Sequence, residues 1–178
     1  MKCKITIEGP SGPIRPFVLE DLTECMVEDL ETNLGMARWL AQTLAENPWI
    51  LRDCGVGVES TRMFTIVARM ERLNDPKEKP MSDLTFVSNP QDGDYPEFTH
   101  QHYIGHNSEV PTYLLTNEEH CRVYGYPTTR DIIEGYLRHV GAIDEESHCF
   151  ADSDANWEGF TQVTFEFGPI ERITHEED

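Results

Sequence analysis

The stretch STRMFTIVARMERL, Ser60 to Leu73, sets Phe64, Ile66, Ala68 and Met70 on one side of an extended chain. Thr65, Val67, Arg69 and Glu71 fall on the other side. A period of two sustained over so many residues is the pattern of a β-strand with one buried face. Its length predicts a central or strongly twisted strand, and the rest of the fold is read outward from it.

Upstream, Cys3, Ile5 and Ile7 alternate with Lys2, Lys4 and Thr6, which predicts a half-buried first strand broken by Gly9-Pro10-Ser11-Gly12-Pro13. Leu19, Leu22, Met26 and Leu30 recur at helical spacing, so a helix is expected between Val18 and Leu30. Thr32 or Asn33 can cap a second helix carrying Leu34, Ala37, Leu40, Ala41 and Leu44, which Asn47-Pro48 stops.

Downstream, Asn74-Asp75-Pro76 makes a turn from which Leu84 to Val87 would return antiparallel. Residues 89–117 read as an insertion holding a hairpin, Phe98 to Ile104 with Val110 to Thr116. Thr128 and Asp131 sit three apart as a capping pair. The helix they open carries Ile132, Ile133, Tyr136, Leu137 and Val140, and Gly141 closes it. An acidic loop is expected up to Gly159, followed by a last strand with Val163, Phe165 and Phe167 that Gly168-Pro169 ends. The fold class is therefore α+β, a mainly antiparallel sheet with helices on one face. The element order is that of a split βαβ or ferredoxin-like sandwich with an inserted hairpin at 89–117. At 178 residues and 38% hydrophobic content the chain fits a single domain, 1–178. A domain of that size buries roughly 70% of its unfolded surface.

Charge divides this chain unevenly. Residues 1 to 89 hold 14 Asp and Glu against 10 Lys and Arg, whereas residues 90 to 178 hold 19 against 4. The first part thus reads as scaffold and the second as the strongly acidic half. Acidity tuned to a high-salt cytoplasm would coat the whole surface rather than one half. Such a one-sided field repels nucleic acid and anionic membrane and steers cationic partners inward. No apolar run approaches a membrane span. Five widely spaced cysteines without a C-x-x-C pattern do not form a secreted disulfide framework. The amino terminus has no uninterrupted apolar stretch of the signal-peptide kind, so a soluble, reduced, cytoplasmic protein is expected.

Three local patterns bear on chemistry. His100, His102 and His106 would converge on a zinc or iron ion if they share one face of a hairpin. The spacing of the first two resembles a cupin-type metal site, but His106 stands where that pattern has a Glu. Asp152-Ser153-Asp154-Ala155-Asn156 resembles the first half of an EF-hand loop and would take calcium weakly. In it, Trp157 replaces the turn glycine and Val163 the bidentate Glu. Gly9-Pro10-Ser11-Gly12 lacks the Gly-Lys ending of a phosphate loop, and its prolines remove donors. No nucleophile motif appears, so no catalytic residue is assigned.

The acidic half carries the expected function: a small binding protein that inhibits a basic nuclease or nucleic-acid-binding complex. Duplex DNA presents one charge per roughly 1.7 Å, and closely spaced carboxylates can occupy the same basic groove. An immunity protein or an anti-defence inhibitor of this kind works as a nucleic-acid mimic. The contact residues expected are Glu118, Glu119, Asp144, Glu145, Glu146, Asp152, Asp154 and Glu158, with Trp157 as an aromatic anchor. The chain itself would bind neither nucleic acid nor membrane, and would be a monomer or a homodimer. The alternatives are a metal-dependent enzyme or metal-binding domain built on the three histidines, and an adaptor subunit of a larger assembly.

Overall fold

The computed structural model describes residues 1–73, 118–156 and 161–172. The expected return strand at Leu84 to Val87 and the hairpin at 89–117 lie outside the described residues. The strand at the centre of the sequence reading is the centre of the fold. β4, Arg62–Leu73, pairs antiparallel with β1, Lys2–Gly9, on one side and with β6, Thr161–Arg172, on the other. The registers set Ile5 against Met70, Ile7 against Ala68, Phe64 against Phe165 and Ile66 against Val163. In the β4–β6 pairs, aromatic meets aromatic and β-branched meets β-branched directly across strands, where each such pair adds about 0.2–1 kcal/mol.

Two short strands, β2 at Gly12–Pro13 and β3 at Phe17–Leu19, pair with the far side of β1. β5, Ser147–Asn156, pairs with β6. The described sheet is antiparallel throughout, in the order β2-β1-β4-β6-β5. β5 therefore runs parallel to β4 with β6 inserted between them, which is a split βαβ arrangement. β1 and β4, by contrast, are direct neighbours.

The described residues form five helices, of which α1, α2, α3 and α5 supply residues to the core on one face of the sheet. α1 is Glu24–Glu31, α2 Asn33–Glu46, α3 Trp49–Asp53, α4 Glu118–Tyr124 and α5 Thr129–His139. Thr32 caps α2 as expected, its Oγ1 accepting from the Gly35 amide at 3.0 Å. A Cβ on Gly35 would lie 1.9 Å from the Asp29 carbonyl, so only glycine lets α2 start this close to α1. The Thr128–Asp131 capping box of α5 is complete in both directions. Leu40, Leu44, Ile50, Leu51, Ile133 and Leu137 pack onto the inner side chains of β1, β4 and β6 in one core cluster. Tyr136, 1% exposed, donates its hydroxyl to the Val56 carbonyl at 2.5 Å and ties α5 to the segment leading into β4.

Five elements differ from the sequence reading. The helix expected from Val18 begins only at Glu24, where Thr23 caps it, because Phe17–Leu19 completes hydrogen bonds along β1 instead. Its buried residues are Val27 and Leu30, while Met26 is exposed. α3 and α4 are short helices that periodicity over so few residues does not announce. β6 does not end at Gly168-Pro169 but continues to Arg172 past an irregularity in register, with Ala151 opposite Phe167 and Cys149 opposite Ile170. Gly168 has φ +109°, and a Cβ there would meet the Ser60 carbonyl oxygen at 1.7 Å. Finally, the acidic loop expected before Gly159 is largely the strand β5.

Candidate partner surface on the open face of the sheet

The strand character of β5 decides what its acids can do. Cys149, Ala151 and Ser153 are small residues turned toward the helices, and Cys149 and Ser153 are buried. Phe150, Asp152 and Asp154 alternate with them and are exposed. Strands rise about 3.3 Å per residue, so carboxylates two apart on one face sit roughly 7 Å from each other. The calcium-loop resemblance fails on this geometry, since a wrapped loop must bring its oxygens within about 2.3–2.6 Å of one ion. Among the described residues no three His, Cys, Asp or Glu side chains gather at a metal-binding spacing.

The same geometry builds a surface. Asp152 lies directly opposite Glu166 on β6, and Glu166 lies opposite Met63 on β4. In the next row Asp154 is opposite Thr164, whose hydroxyl is 3.0 Å from that of Thr65. Met63 and Phe150 are 65% and 51% exposed, two apolar side chains among carboxylates. Asp152 and Glu166 make no ion pair among the described residues. Like charges placed directly opposite destabilise a sheet, so this pair is unfavourable across the β5–β6 ladder. At the other end of this face the charges cancel, through Lys4 with Glu71 and Arg69 with Glu8. Among the described residues, the face of the sheet away from the helices is polarised, its charges paired over β1 and β4 and anionic over β6 and β5.

The expected contact residues separate into groups. Asp152 and Asp154 stand on this face. Asp144 organises the turn into β5, its Oδ1 accepting from the Glu146 amide at 3.1 Å and the Ser147 hydroxyl at 2.7 Å. Glu145 reaches Arg138 at 3.7 Å and Glu118 reaches Arg130 at 3.4 Å, so both have a local partner. Glu119 and Glu146 are exposed. Trp157, Glu158 and the three histidines His100, His102 and His106 lie outside the described residues.

Sequence reasoning missed Met63 and Phe150 and left Glu166 among the general acids of the second half, although alternation from Phe150 to Asp154 was there to be read. It also missed Glu134, which is 5% exposed on α5. The Glu134 carboxylate accepts from the Cys149 amide at 3.1 Å and from Arg138 Nη2 at 3.3 Å, and His148 Nδ1 lies 3.1 Å away. These partners make it a brace between α5 and β5. Burial, with Glu134 nearby, pushes the Cys149 thiol up to about 11, and burial likewise raises Cys54 to about 11. Neither is a thiolate nucleophile near neutral pH.

A separate cleft of about 480 Å³ opens between the α1–α2 junction and β4, lined by Leu30, Met36, Ala68, Met70 and Thr161 among others. Its charged wall is internally neutralised. Arg72 holds Glu31 through two bonds and Glu24 through a third, and these bonds pull the Glu31 carboxyl below its ordinary value.

The chain matches no known protein family, no curated protein and no solved structure. Among the described residues no helix is long and apolar enough to cross a membrane.

Proposed function

We propose that this chain is a cytoplasmic acidic binding protein that inhibits a basic nuclease or nucleic-acid-binding protein by occupying its Lys- and Arg-lined groove. The observation that carries the reading is the facing Asp152–Glu166 pair on an open sheet face, flanked by Asp154 and by exposed Phe150 and Met63. Two carboxylates held opposite each other repel, and a guanidinium or ammonium between them reverses the sign of that interaction. The apolar neighbours supply contact area that a purely solubilising charge would not need. Inhibition follows from competition: the partner's groove cannot hold this face and a phosphate backbone together.

The test uses immobilised chain and extract of the cognate cells. Captured basic nucleic-acid-binding proteins should elute as NaCl rises from 50 to 300 mM and should be displaced by duplex DNA, because screening over roughly 10 Å weakens the contact. The Asp152→Lys/Asp154→Lys/Glu166→Lys variant should capture none of them. Retention that is indifferent to salt, to DNA and to the triple reversal would overturn the proposal.

A further inference from the structure

β5 is a ten-residue strand at the end of the sheet, paired among the described residues with β6 alone. A long strand edge is a template for pairing with another chain. The opposite end of the sheet is poor in this respect, since β2 and β3 have two and three residues and Pro13 and Pro16 remove donors there.

Along β5 the backbone groups alternate in direction. The Cys149 amide points away from β6, to Glu134 Oε1 at 3.1 Å. Ser153, four residues on, shares that direction, and its amide donates to the Asp152 Oδ1 atom at 2.8 Å. Two edge donors are thus each occupied by a carboxylate, one delivered by α5 and one by the preceding residue of the strand itself. The Thr129 and Ser153 hydroxyls, 2.8 Å apart, keep the start of α5 beside this edge.

We propose that the carboxylates of Glu134 and Asp152 are guards of the β5 edge, which prevent it from pairing antiparallel with the β5 edge of a second copy of this chain. Each guard fills a donor that an incoming strand must use. The inference shares Asp152 with the reading of the sheet face but concerns the edge, and needs no partner protein.

Asp152 allows donor occupancy to be separated from charge, because it is exposed and can be changed without disturbing the core. Asp152→Asn removes the charge but keeps an oxygen that can accept from the Ser153 amide. Asp152→Ala removes both, and Glu166→Gln removes one charge from the open face with no effect on the edge. Sedimentation equilibrium of the full chain reads the result. Asp152→Ala should shift to twice the wild-type mass with rising concentration, while Asp152→Asn and Glu166→Gln hold the wild-type mass. Equal masses for Asp152→Ala and Asp152→Asn would overturn the proposal, as would the same shift in Glu166→Gln.

Discussion

Replacing Glu134 by Ala tests whether the α5–β5 junction depends on one buried carboxylate. The substitution leaves the Cys149 amide, in a residue 4% exposed, without its acceptor. A buried donor so orphaned costs about 1–3 kcal/mol. Arg138 loses less, because it still reaches the carbonyls of Ser147 at 3.1 Å and Asp144 at 3.3 Å. The total expected loss is about 3 kcal/mol, or a fall in Tm of about 6–12 °C for a chain of this length. Glu134→Gln keeps an oxygen for the Cys149 amide, and His148 can change tautomer to meet the new amide, so it should cost about 1 kcal/mol. Urea denaturation followed by tryptophan fluorescence measures both, with unchanged m-values expected. An Ala variant within about 0.5 kcal/mol of wild type, or a Gln variant as unstable as the Ala variant, refutes the brace.

Three further outcomes follow from named contacts. Glu31 is held below its ordinary value near 4.5, chiefly by the Arg72 hydrogen bonds. A folded value below the unfolded one gives stability that is present above about pH 4.5 and lost as pH falls through the folded value. The stability gap between wild type and Arg72→Met should therefore narrow from pH 6 to pH 3; a constant gap in denaturation measured at both pH values contradicts this. Of the five cysteines only Cys25 is exposed, so native protein should release one equivalent of thionitrobenzoate and unfolded protein five. Gly168→Ala would set a Cβ 1.7 Å from the Ser60 oxygen at a backbone φ of +109°. It should cost more than about 2 kcal/mol or abolish soluble expression, whereas Gly125→Ala, with the same sign of φ but open space around it, should be milder.

The carboxy-terminal strand shows why the site was harder to read than the scaffold. In β1 and β4 the inner residues are large and apolar, and alternation with polar residues is visible at once. In β5 the inner residues are Cys149, Ala151 and Ser153, too small to look like a core, because α5 lies close against them. Asp, Ser and Asn beside such residues resemble turn chemistry, and the acidic segment therefore reads as a loop. Gly168-Pro169 has the composition of a terminator for the same reason, yet the register irregularity lets β6 pass through it.

By itself the sequence determined the long strand at Ser60 to Leu73, the first strand, the Thr128 cap, the α+β class and the concentration of acid after residue 90. Each of these rests on local spacing, propensity or charge, which the chain carries without reference to its folded neighbours. Only the tertiary structure decided that Asp152 meets Glu166, that Glu134 is buried against the Cys149 amide, and that Met63 joins an acidic face from 89 positions upstream of Asp152. Strand order and register bring these groups together, and both are set by how the inner faces pack, a property of residue pairs far apart in the chain.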